Sequence, residues 1–109
     1  MLMEDWIEGD CLVVSLKERR LDAVIANNFR EAMVERIDQG QRNLVLDMSQ
    51  VHFMDSSGLG AVVFIMKHLG HSGRLHICSV TPSVMAVLKL TRMDRVLKTF
   101  ETRQAAIAA

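Results

Sequence analysis

Net charge is what this chain lacks most plainly. Thirteen Lys and Arg balance thirteen Asp and Glu over 109 residues, and the formal net charge is zero. No Lys/Arg cluster forms a stripe, which argues against binding a nucleic acid through its phosphates. Aromatic residues make up only 5% of the chain, so platforms for stacking bases are not expected either. No apolar run reaches the length of a membrane span, and Met1-Leu2-Met3-Glu4-Asp5-Trp6 shows no basic region followed by an apolar core. The expectation is a soluble cytoplasmic protein without membrane contact.

Cysteine is scarce as well. Cys11 and Cys78 sit in apolar, strand-like segments without C-x-x-C spacing. They are expected as small buried core residues, not as a redox pair. Catalytic patterns are missing too. There is no G-x-S-x-G, and no P-loop lysine accompanies the glycines. His52 precedes Ser56 by four residues, but an extended segment and a turn do not direct it there. His68 and His71 are three apart, with no Cys or carboxylate set to complete a metal site. No catalyst, cofactor or metal centre is expected.

What is present is a core. Half of the residues are hydrophobic, which excludes disorder and suits one domain over residues 1–109. Trp6-Ile7-Glu8 and Cys11 to Leu16 alternate around Gly9-Asp10, the pattern of an antiparallel hairpin. Lys17-Glu18-Arg19-Arg20 is a charged connector, read as solvated surface with docking as its alternative. Asp22 is expected to cap a helix that runs to about Asp38. On it Ile25, Phe29, Met33 and Ile37 form one stripe, and Gly40 ends it.

Asn43 to Met48 is apolar on both faces, as a central parallel strand requires. A second helix is predicted from about Ser57 to Leu69, with Leu59, Val62, Val63, Met66 and Leu69 toward the sheet. Gly70 to Gly73 reads as a loop and Arg74 to Val80 as a strand. Thr81-Pro82-Ser83 starts a third helix with Val84, Val87, Leu88 and Leu90 on its apolar face. Arg95 to Phe100 is a short edge strand, and Thr102 to Ala109 a last helix. The order β-β-α-β-α-β-α-β-α with right-handed crossovers gives an α/β fold, a mixed and mostly parallel sheet with helices packed on it.

The junction between the central strand and the second helix is the richest stretch: Val51-His52-Phe53-Met54-Asp55-Ser56-Ser57-Gly58-Leu59-Gly60. Asp and Ser accept the free N–H groups of a first helical turn, and a helix start favours negative charge. Phe53 and Met54 alternate, so one is expected in the core and the other on the surface. From local sequence alone Ser56 is a capping or a reactive hydroxyl. Ser57 is the structural hydroxyl, and Asp55 either caps or orients Ser56. Gly58 and Gly60 admit either a partner's approach or tight packing on the sheet.

Phe53 to Gly60 resembles the phosphorylation-site signature of bacterial anti-sigma factor antagonists, which are single STAS domains. The resemblance extends to the N-terminal strand pair, Leu21-Asp22 before the first helix, and Thr81-Pro82-Ser83-Val84. Many relatives carry glycine where this chain has Arg19. The resemblance implies Ser56 as phosphoacceptor, within a partner-binding surface of Asp22, Met54, Asp55, Ser56, Ser57, Gly58 and Leu59. It implies a GHKL-type serine kinase that is also the anti-sigma factor, and a PP2C-type phosphatase that resets the switch. The alternatives are a constitutive structural STAS subunit of a lipid-transport ATPase complex, and a partner-switching regulator of a non-sigma output.

Overall fold

The computed structural model describes residues 1–109. Strands β1 (Met3–Glu8) and β2 (Cys11–Leu16) form the expected hairpin, with Glu8 opposite Cys11. Gly9 sits between them at φ +63°, a left-handed conformation that glycine adopts without penalty. β4 (Asn43–Asp47), β6 (Arg74–Cys78) and β7 (Lys98–Phe100) complete a five-stranded sheet in the order β1-β2-β4-β6-β7. All pairings after the hairpin are parallel.

The parallel strands advance in one direction across the sheet. Right-handed crossovers then place every connecting helix on the same face. Helices α1 (Ala26–Asp38), α2 (Ser56–Leu69) and α3 (Pro82–Leu90) occupy it. Their buried residues join Leu12, Val14, Leu16, Leu44, Leu46, Leu75 and Ile77 in one cluster of 22. The other face carries Cys11, Val13, Val45 and Cys78, covered by Ala106 of α4 (Arg103–Ala108). Both cysteines are therefore buried, as expected, and burial pushes their thiol pKa values up.

Several elements differ from the sequence expectation. The first helix begins at Ala26, and Asp22 does not cap it. The N-cap is Ile25, with no side-chain cap. Asp22 instead closes a tight turn: its Oδ1 accepts from Val24 N at 3.1 Å, and its carbonyl accepts from the N–H groups of Ile25 and Ala26. The second helix begins at Ser56 and buries Gly58, Ala61, Val62, Ile65 and Leu69. Leu59, Val63 and Met66 flank that stripe and are only half-buried. Gly58 and Ala61 take the packed face because they are small enough for α2 to approach closely, which leaves the larger Leu59, Val63 and Met66 at its flanks.

Leu90 is exposed at the end of α3, and the strand after α2 stops at Cys78 because Ser79 turns to φ +60°. Two-residue strands β3 (Arg20–Leu21) and β5 (Phe53–Met54) were not foreseen. They pair in parallel, apart from the main sheet. No helix is long and apolar enough to cross a membrane.

Candidate functional site

The site is assembled by backbone before any side chain acts. After β4 the chain is pinned by buried Met48 and Val51. Thr81 Oγ1 donates to Val51 O at 2.6 Å, tying the start of α3 to this lead-in. Thr81 is the N-cap residue of α3, but its hydroxyl is spent on Val51 and caps no helix N–H. The N–H groups of His52 and Phe53 donate to Arg19 O at 2.8 and 3.2 Å. The register Arg20 to Phe53 and Leu21 to Met54 then carries residues 20–23 alongside the start of α2.

Asp55 is the centre of this arrangement. It is the N-cap of α2, in extended conformation, and its Oδ1 accepts from Gly58 N at 2.9 Å. Its Oδ2 accepts from Ala23 N at 3.1 Å. One carboxylate therefore caps the helix and clips the segment before α1 to it. The Gly58 N–H, with lesser help from the Ala23 and Ser57 N–H groups, holds the Asp55 carboxyl below the usual carboxylate range against a weaker opposing effect of desolvation. Both its oxygens are engaged in structure.

Ser56 and Ser57 are exposed, and neither hydroxyl hydrogen-bonds to the protein. Ser57 is thus not the structural hydroxyl expected, and the cap is Asp55, in one of the two roles expected of that carboxylate. Ser56 is the first residue of the helix and not the last of the turn. Gly58 is buried, and a Cβ there would lie 2.1 Å from Leu21 O and 2.9 Å from Leu21 Cγ. Its missing side chain makes room for β3, not for a partner. At Gly60 a Cβ would meet nothing within 4 Å, so that position is open.

The expected alternation places Phe53 outside, 41% exposed, and Met54 in the core at 4%. Met54 is therefore removed from the proposed contact surface. Phe53 takes its place, with the Arg20 guanidinium 4.1 Å above its ring. Asp22 is half-buried beside it and pairs with Arg20 Nε at 3.1 Å. Val24 is 84% exposed on the same turn. Ser56 and Ser57 open onto a cleft of about 520 Å³ between α1 and α2, lined also by Asn27, Arg30 and Gly60. Sequence reasoning had no means of finding the Ala23 contact, which rests on a bare N–H.

This fold and this site define a class. Residues 6–106 match the model of the STAS domain, and the chain belongs to that family. It is an anti-sigma factor antagonist-like STAS domain. Over 109 residues it is 26% identical to the putative anti-sigma factor antagonist BtrV of Bordetella bronchiseptica, covering 99% of this chain and 92% of that one. A crystal structure of a putative anti-sigma factor antagonist from Thermotoga maritima superposes with a TM-score of 0.86 at 29% identity, covering 97% and 92% of the two chains. The Bacillus cell fate determinant SpoIIAA in its phosphorylated form shares the fold, with a TM-score of 0.72 at 23% identity and coverage of 98% and 97%.

Proposed function

We propose that the chain is a binding module whose affinity for an anti-sigma factor is controlled by phosphate on Ser56. The observation that carries this reading is the Ser56 hydroxyl: exposed, free of protein hydrogen bonds, and set on a helix start already capped by Asp55. A phosphate there meets the positive end of α2, so the fold tolerates it. The phosphorylated form of SpoIIAA, similar in fold, supports the reading.

The surface responds differently from the fold. Phosphorylation adds roughly −2 charge and three acceptor oxygens. A partner that covers Ser56 must desolvate that charge next to the Asp55 carboxylate. Each ~1.4 kcal/mol so lost lowers affinity tenfold. Unphosphorylated protein then binds the anti-sigma factor and frees the sigma factor, and phosphorylated protein does not.

The partner proposed is itself the kinase, of GHKL type. Ser56 Oγ attacks the γ-phosphorus of its ATP, the bond to the β–γ bridging oxygen breaks, and ADP leaves. No side chain of this chain hydrogen-bonds the hydroxyl, so the kinase supplies the base that takes its proton. A PP2C-type phosphatase hydrolyses the ester with water. In this scheme the chain is a substrate and a ligand, and catalysis resides in its partners.

The test is incubation with such a kinase and ATP, with mapping of the modified residue by mass spectrometry. Phosphate on Ser56 is expected; phosphate on Ser57 with Ser56 untouched overturns the assignment. Calorimetric titration of the kinase with Ser56→Ala and Ser56→Asp completes it. Ser56→Ala is expected to bind at least as tightly as the parent and Ser56→Asp far more weakly. Equal affinities, with both variants folded, favour a constitutive structural STAS subunit instead.

A further inference from the structure

A second groove lies farther along the α1–α2 seam, past the cleft beside Ser56. Its volume is about 620 Å³, and the two hollows share Arg30 and Phe64. Phe64 is 46% exposed, like Phe53 beside the serines. It is held open from two sides. The Arg30 guanidinium sits 5.1 Å from its ring centre, and the His68 ring lies nearly parallel at 6.1 Å. His68 is fixed in turn by Asp38 Oδ1 at 2.8 Å.

The α1 wall of this groove is acidic. Glu31, Glu35 and Asp38 line it and are exposed, against the single guanidinium of Arg30. An exposed aromatic ring set in a groove is the kind of anchor that carries binding energy. The sign of the wall selects what covers it. Nucleic acid and anionic lipid surfaces are repelled. A second copy of this chain, joined about a two-fold axis, would bring two acidic walls together.

We infer that the Phe64 groove docks an amphipathic protein segment whose apolar side packs on Phe64 and whose basic residues face Glu31, Glu35 and Asp38. The sequence shows the elements separately, as an off-stripe Phe on one helix and an acidic flank on another. Only the packing of α1 on α2 unites them. Phe64 follows Ser56 by eight helical residues, about 12 Å along the axis. That exceeds the ~8 Å screening length of physiological salt. Charge at Ser56 is therefore largely screened from the acidic wall, although Arg30 lines both hollows, and docking is expected whether or not Ser56 is phosphorylated.

The test uses a synthetic leucine-lysine peptide of about four helical turns, leucines on one face. Its controls are a scrambled isomer and an analogue with glutamate for lysine. Titration into isotope-labelled protein is expected to shift the amide signals of residues 30–39 and 60–68. Phe64→Ala is expected to weaken binding at least about tenfold. The pair Glu31→Lys with Glu35→Lys is expected to switch preference to the glutamate analogue, a gain that unfolding cannot mimic. Ser56→Asp is expected to change affinity less than twofold. Equal binding of the scrambled peptide, unchanged affinity for Phe64→Ala, or signals shifting elsewhere overturns the inference. So does a concentration-dependent dimer in sedimentation that Phe64→Ala abolishes.

Discussion

The two faces of the sheet are built to different depths. One lies under three helices and holds 22 buried residues in a continuous cluster. The other holds five, under a helix of six residues. The thick face is also where the candidate site stands, because every crossover helix starts there. Its thickness lets Gly58 press against Leu21 while Ser56, two residues earlier, stays open to solvent. The exposed start of α2 is thus bolted to the most deeply buried part of the molecule.

Neighbouring residues of β4 measure the contrast. Leu46 points into the thick face and Val45 into the thin one, each at most 1% exposed. Leu46→Ala is expected to cost about 2–5 kcal/mol, from lost burial and the cavity left behind. Val45→Ala removes two methyl groups, worth about 1.6 kcal/mol of transfer free energy. Urea denaturation of both reads the difference. Equal losses would show that the two faces are equally well packed.

Gly58→Ala probes the junction with β3. The clash is with backbone, which cannot rotate away, and overpacking of this kind costs about 1–3 kcal/mol. The matching Gly60→Ala, facing open space inside a helix, is expected to stabilise by up to about 1 kcal/mol. Thermal melts of the pair sharpen the distinction between packed and open glycines. Two similar melting temperatures would break it.

The cysteines report on the thin face. Both thiols are buried with raised pKa values, and reaction with a disulfide reagent is expected to be slow at neutral pH. Removing residues 103–109 should speed labelling of Cys78 severalfold while α1 to α3 keep their amide protection. Unchanged labelling rates would mean that α4 contributes no cover.

The smallest effect expected is an acid limb. Asp55 is held below its unfolded pKa. Its contribution is present above the unfolded value and is lost as pH falls through the lower folded one. Asp55→Asn, which keeps a capping carbonyl, should therefore flatten the stability profile as pH falls below about 4. Thermal melts of parent and variant across that range test it. An acid limb of the same size in the variant assigns the dependence to other carboxylates.

Much of this was written in the sequence, unevenly. Periodicity identified Phe29, Met33 and Ile37, and the unbroken Leu44-Val45-Leu46 declared a strand buried on both faces. Local chemistry left Ser56 as a capping or a reactive hydroxyl; the family resemblance alone singled it out, and the structure leaves that hydroxyl exposed. What escaped was long-range and small. Thr81 reaches 30 residues back to Val51, and Ala23 donates a bare N–H across 32 residues to Asp55. No hydropathy pattern records either contact. Met54 was placed on the surface because alternation says that two neighbours face opposite ways, not which one faces inward, and Gly58 resolves to packing because Leu21 lies against it.

The double grip of Asp55 bears on transplanting this helix start. A designer who grafts Asp-Ser-Ser-Gly onto the helix start of another α/β protein would carry over the cap but not its second hold. Without the segment that supplies the Ala23 N–H, and the Leu21 carbonyl that accepts from Asp55 N, one carboxylate oxygen faces solvent and the cleft beside the serine loses a wall. The smallest portable unit is two stretches of chain, residues 20–23 and 53–58, moved together with the register that joins them.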